Sequence, residues 1–100
     1  MKVQLHPAAE VEFQHAAQWY ERRVSGLGAE FTAAVEAAIL RIESSPRQFT
    51  KLEYCDGNDV RRALVNRFPY KVIYRIDADR ILVLAISHTN RRPAYWRRRN

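Results

Sequence analysis

Between Leu27 and Ile42 the apolar residues Leu27, Phe31, Ala34, Val35, Ala38, Ile39 and Ile42 fall at i, i+4, i+7, i+8, i+11, i+12 and i+15. That spacing puts them on one side of an α-helix, which Ser44-Ser45-Pro46 stops. A helix with one apolar stripe must find a surface to cover. The preceding stretch has the same need: from Pro7 to about Val24 the residues Ala9, Phe13, Ala16, Ala17, Tyr20 and Val24 make a second stripe, with Trp19 off it. Pro7 suits the first helical position because its missing N–H needs no partner there. Glu10 and Glu12 lie near the start, where the helix dipole favours negative charge. His6 reads as a helix-start residue. Ser25-Gly26-Leu27-Gly28 is the turn between the helices, with Gly26 placed to take the left-handed conformation. So short a turn predicts an antiparallel helical hairpin.

The surface for that hairpin is legible in the rest of the chain. Lys2-Val3-Gln4-Leu5 alternates polar and apolar like a short strand. Residues 46–59, with Pro46, Gly57, Asn58 and Asp59, lack periodicity and read as a loop. Three strands follow: Val60–Asn66, Tyr70–Ile76 and Ile81–Ser87. In the second, Tyr70, Val72, Tyr74 and Ile76 share one face, and Lys71, Ile73 and Arg75 the other. The third is apolar on both faces, as a central strand is. Arg67-Phe68-Pro69 and Asp77-Ala78-Asp79-Arg80 are short enough to be hairpin turns. The expected fold is α+β, in the order β-α-α-β-β-β: a helical hairpin packed on a small, mainly antiparallel sheet, with residues 1–100 forming a single domain.

Charge is distributed unevenly over this order. Residues 1–59 carry six basic and nine acidic side chains, whereas residues 60–100 carry eleven basic, ten of them Arg, and two acidic. Such a skew within 100 residues points to a basic face for an acidic or polyanionic partner, and Arg favours bidentate contact with phosphate or carboxylate. No apolar run approaches the roughly 20 residues needed to span a bilayer. The N-terminus has no apolar signal core, and the lone Cys55 has no partner for a disulfide. These features predict a cytoplasmic protein. Metal-ligand spacing is lacking in the sequence, so neither a metal nor another cofactor is expected.

The basic set comprises Arg61, Arg62, Arg67, Lys71, Arg75, Arg91, Arg92, Arg97, Arg98 and Arg99. It fits either a site for RNA phosphates or a docking surface for an acidic protein; an ordinary solvated sheet face is the bland competitor. His88 follows the last strand, beside Arg91 and Arg92. It has the chemistry of a general acid or base next to cations that stabilise charge on phosphorus, or it simply ends the strand. Tyr95 and Trp96 sit among arginines; such aromatics stack on unpaired bases or pin a tail to the core, and pinning is the expectation for Trp96. Cys55 has no nearby base or helix terminus to activate it. Trp19, Tyr20 and Glu21 could form a surface patch, although Tyr20 belongs to the core stripe.

Taken in order, several segments resemble the RelE/ParE toxin superfamily, and more closely the ParE-like branch of plasmid-stabilisation proteins. They are His6-Pro7-Ala8-Ala9-Glu10, Ala16-Ala17-Gln18-Trp19-Tyr20-Glu21, Gly26-Leu27-Gly28 with Phe31, and Ser44-Ser45-Pro46. Val60-Arg61-Arg62-Ala63-Leu64-Val65, Arg67-Phe68-Pro69-Tyr70-Lys71-Val72-Ile73-Tyr74, and His88 through Arg92-Pro93 to Tyr95-Trp96 complete the set. The resemblance implies a toxin of a type II toxin–antitoxin system, with a cognate antitoxin whose extended or helical C-terminal segment wraps it. RelE-like members cleave mRNA in the ribosomal A site with basic residues and often a C-terminal Tyr or His. On that pattern Lys71 falls where an Arg is expected, Arg91 matches the basic residue after the last strand, and Arg62 matches a Lys. Leu64 replaces a second Lys, and Tyr95 is only an approximate counterpart of the catalytic Tyr. ParE-like members lack the full set and poison DNA gyrase. The resemblance therefore implies a gyrase poison, with a ribosome-dependent mRNA endoribonuclease as the alternative. The candidate catalytic residues are Arg62, Lys71, His88, Arg91 and Tyr95. The candidate target-binding residues are Arg61, Arg62, Arg67, Lys71, Arg75, Arg91, Arg92 and Arg97.

Overall fold

The first strand of the chain comes to lie beside the last, which is buried on both faces. β1 (Lys2–Leu5) runs parallel to β5 (Arg80–His88), with Val3 beside Ile81 and Leu5 beside Val83. A parallel pair needs a crossover, and here it begins with the helical hairpin of α1 (Pro7–Arg23) and α2 (Leu27–Ser44). The chain continues through β2 (Thr50–Lys51), β3 (Val60–Leu64) and β4 (Tyr70–Ile76). The sheet order is β1-β5-β4-β3-β2, antiparallel apart from the β1–β5 pair. The computed structural model describes residues 1–53 and 57–99, so the expectation for Cys55 lies outside the described residues.

Each helix is capped by a side chain. His6 Nδ1 accepts from the Ala8 N–H at 3.0 Å, giving His6 the helix-start role expected of it. Gly26, at φ 88°, opens α2 but has no side chain to cap it. Glu21 supplies the cap from the end of α1, its carboxylate accepting from the N–H groups of Gly26 at 2.9 Å and Gly28 at 3.0 Å. Glu21 is thus a cap rather than part of an open patch. Gly28 permits this approach: a Cβ there would stand 2.6 Å from the Ala17 carbonyl oxygen.

The stripes bury as their periods dictate. Phe31, Val35, Ala38 and Ile42 of α2 join Ala9 and Ala16 of α1 over Ala63, Val72, Tyr74, Ile81, Val83 and Ile86 of the sheet. The opposite face carries a smaller cluster of Val60, Ile73, Leu82, Leu84 and Ala85, closed by Trp96 from the tail. A bulge in β5 lets one strand serve both. Ile73 pairs with Ala85 and Tyr74 with Val83, so Leu84 is the extra residue. Leu84 and Ala85 then both face the tail, and Ile86 returns to the helix side.

Four expectations need correcting at their edges. Val24 leaves the first stripe, since α1 ends at Arg23 and Val24 is extended and exposed. The first strand of the three stops at Leu64 rather than Asn66, because Arg67 enters the turn at φ 72°. The third runs one residue further at each end than Ile81–Ser87. The stretch 46–59 contains a 3-10 turn at Pro46–Gln48 and the short β2, which pairs Thr50 with Arg62 and Lys51 with Arg61. That pairing comes from a tertiary partner and leaves no periodicity in the sequence. The covered second face also differs from a plain basic surface, since the tail buries part of it.

Candidate target-binding site

Most of the strand arginines are already engaged. Arg61 lies on the helix side, where its Nε meets Asp59 at 2.8 Å and its Nη1 donates to the carbonyls of Arg47 and Phe49. Those bonds hold the segment before β2 against β3. Arg75 is paired with Asp77 at 2.7 Å, and Arg80 reaches the same carboxylate and Gln4. The hydrogen bond from Arg75 is the first cause holding the Asp77 carboxyl below its ordinary pKa. Arg67, at the turn, meets Glu30 at 3.0 Å with both side chains largely in solvent.

Lys71 and Arg62 are different. They lie on the tail side, Lys71 opposite Leu64 and Ser87, and Arg62 opposite Ile73. Both are half-buried, and neither makes a side-chain hydrogen bond or ion pair among the described residues. Arg75 shares their face at the far end of β4, neutralised by Asp77. Arg91, Arg92 and Arg97 are on the tail and exposed.

His88 and Arg91 come together on the helix side. They line a groove of about 610 Å³ between α1 and the ends of β4 and β5, with His15, Trp19, Tyr20 and Tyr70 as further walls. A volume of that order suits a side chain or a base. The His88 ring stands 5.1 Å from that of Tyr70, and its Nδ1 accepts from the Asn90 N–H, which makes Nε2 the protonated nitrogen of the neutral ring. Trp19 is half exposed, with its ring against Tyr20 at 5.1 Å and Arg23 above it at 4.3 Å. The signal for this groove was weak in sequence: Trp19 off the stripe, and His15 one turn before it.

The floor of the groove is a polar knot that sequence reasoning missed. Glu12, one turn into α1, accepts from the Ile86 N–H at 3.1 Å, the Tyr95 hydroxyl at 2.7 Å, and both terminal nitrogens of Arg99 at 2.9 and 3.1 Å. Arg99 also donates to the Leu84 carbonyl at 2.9 Å. β1 ends at Leu5, so the β5 edge beyond it would otherwise be bare, and Glu12 and Arg99 satisfy it. Burial works against the charge on Arg99, but Glu12 outweighs it and raises the guanidinium pKa. Burial, with Glu12 beside it, also pushes the Tyr95 hydroxyl above its ordinary pKa. Arg91 lies over the Tyr95 ring, 4.1 Å from its centroid. Trp96 is 3% exposed and pins the tail as expected.

Among the described residues no group of three His, Cys, Asp or Glu could hold a metal ion, and no helix is long and apolar enough to cross a membrane. No curated protein sequence matches the chain. A solved structure described as a chromosomal ParDE TA system from P. aeruginosa shares the fold, with a TM-score of 0.73 at 15% identity over 88% of this chain and 95% of that one. The sequence profile of the ParE toxin of the type II toxin–antitoxin system parDE matches residues 3–93. With its two helices on a five-stranded mixed sheet and a match over nearly its whole length, the chain belongs to the ParE toxin family.

Proposed function

We propose that this toxin arrests growth in the cytoplasm by binding and poisoning DNA gyrase, and that a cognate antitoxin protein neutralises it. The observation that carries the choice of target is the state of Tyr95. As the nearest counterpart of the nucleolytic tyrosine it would have to give up or take a proton. Instead its hydroxyl is donated to Glu12 and its pKa is raised by burial. Leu64 adds nothing cationic, and Arg61 is spent on Asp59. Among the cations left over are Arg62, Lys71, Arg91 and Arg92, which are suited to docking an acidic protein surface rather than to proton transfer.

A second reading has one observation in its favour. His88 and Arg91 share an aromatic groove, which suits a base and its phosphate, and so an endoribonuclease on ribosome-bound mRNA. One comparison separates the two. Purified toxin incubated with gyrase and supercoiled plasmid is expected to trap cleaved DNA or block supercoiling. Primer extension on translated mRNA is expected to show no codon-linked cuts. The reverse pair of results would replace the gyrase reading with the nuclease. In cells, induction of the chain alone is expected to arrest growth, and co-expression of the adjacent small open reading frame to relieve it.

A further inference from the structure

We infer that Glu12 is a positioning residue: through Tyr95 it holds Arg91 at the mouth of the aromatic groove, ready to take a carboxylate of the target protein. The inference rests on the docking reading above and names the contact on which that reading turns. Arg61, Arg75, Arg80 and Arg99 each meet a carboxylate within the chain, so their charge is largely spent. Arg91 is fixed in another way. Its guanidinium lies over the Tyr95 ring, and among the described residues no carboxylate or carbonyl accepts from it. A ring face orients a guanidinium without using its N–H donors, leaving the planar fork free for a bidentate acceptor.

The ring holds Arg91 only if the ring itself is held. Tyr95 sits in an irregular tail, beside a backbone residue, Ala94, at φ 63°. Its hydroxyl is anchored on Glu12, and Arg99 lies 5.1 Å from the same ring. Glu12 is in turn fixed by the Ile86 N–H, which the β5 bulge and the end of β1 leave available, and by the Arg99 fork. The chain of support runs from α1 to the carboxylate, to the ring, to the cation. Side chains held this way lose little entropy when a partner binds.

The test uses Tyr95→Phe, which keeps the ring and removes its anchor, and Glu12→Gln, which weakens the anchor and the Arg99 pair. Three readings are taken on the full chain: thermal melting, the NMR order parameter of the Arg91 Nε–H, and inhibition of gyrase supercoiling. Both variants are expected to loosen the Arg91 Nε–H toward the freedom of exposed Arg92. They should weaken inhibition about tenfold, the scale of one charge-assisted contact, at temperatures where both remain folded. Tyr95→Phe decides the matter if Glu12→Gln fails to fold. An unchanged Arg91 signal in Tyr95→Phe would overturn the inference, and so would a loosened Arg91 with inhibition intact. Failure of the docking reading looks different: wild-type toxin would leave gyrase untouched, and the same variants would then be compared by growth arrest. Full growth arrest by Arg91→Ala would remove Arg91 from the target contact and overturn the functional half of the inference.

Discussion

Two regular helices cover one face of the sheet, and the irregular tail after β5 covers part of the other. The helix side is fastened by apolar contact. Phe31 is fully buried at its centre, with the rings of Tyr20, Phe68 and Tyr70 at 5.0 to 5.2 Å and Phe13 at 6.1 Å. Helices satisfy their own backbone, so their stripes have only to pack. The tail cannot do this. It contributes one large buried side chain, Trp96, and fastens the rest through Glu12, Tyr95 and Arg99. A short cover that buries little apolar area needs directional bonds to hold it, and those bonds come with the desolvation of a charged pair. The difference puts the robust part of the molecule on the helix side and the adjustable part beside the candidate site.

Truncation at the two centres tests that division. Phe31→Ala should have the largest effect, about 3–5 kcal/mol, because Phe31 is fully buried and three of the four rings around it, Phe13, Tyr20 and Tyr70, sit on α1 and β4 and close poorly over the void. Urea unfolding followed by circular dichroism would read it as a lower midpoint with an unchanged slope. Trp96→Ala should cost about 3 kcal/mol, at the low end of that range, since an irregular tail relaxes more easily than a helix. Hydrogen exchange sharpens the contrast. In Trp96→Ala the amides around Leu84 and Ile86 should lose protection by local opening, while those of α2 keep theirs until global unfolding. Equal loss of protection on both faces would dissolve the distinction between them.

The same division separates what the sequence announces from what it hides. The helix stripes and the alternation of β4 could be read because a period of 3.6 or 2 reports a buried face directly. Phe31, Val35, Ala38 and Ile42 are all fully buried at the expected spacing. β2 could not be read, because two residues carry no period and their pairing depends on β3. Glu12 was hidden for a related reason. At the start of a helix a glutamate is explained by the dipole alone, and nothing local signals that Arg99, at the other end of the chain, will reach it. Within the candidate site, the uneven charge was visible, but which arginines would be spent on internal carboxylates was not. Asp59 and Asp77 each sit two residues from the Arg they neutralise, the one cue that was available.

Alkaline pH offers a probe of the helix side. Tyr74 is fully buried, its hydroxyl donates to the Pro46 carbonyl, and burial pushes its pKa to about 12 although Arg61 pulls the other way. A raised pKa means the folded state prefers the protonated ring. Its contribution is therefore complete below the unfolded value near 10 and is lost as pH rises through about 12. Two units correspond to about 2–3 kcal/mol. Stability measured between pH 9 and 12 should fall more steeply in wild type than in Tyr74→Phe. The remaining tyrosines, common to both proteins, drop out of the difference. Parallel curves would show that Tyr74 ionises as freely as a tyrosine in water.

The smallest effect on stability is expected at a pair of neighbours. Arg61 and Arg62 are adjacent in sequence and face opposite sides of β3: Arg61 opposite Tyr74 toward the helices, Arg62 opposite Ile73 toward the tail. Arg61 holds Asp59 and two carbonyls, so Arg61→Ala strands acceptors and should cost about 1–3 kcal/mol. Arg62 has no such partners among the described residues, and Arg62→Ala should stay within about 0.5 kcal/mol. Activity should sort the other way. If the tail side meets the target, Arg62→Glu with Lys71→Glu abolishes growth arrest in a protein that melts normally, whereas Arg61→Ala loses arrest only as far as it unfolds. Antitoxin pull-down with the same variants reports whether the partner covers that side. Full toxicity in the combined reversal of Arg62, Lys71, Arg91 and Arg92 would take all four cations out of the target contact and overturn the basic-face site.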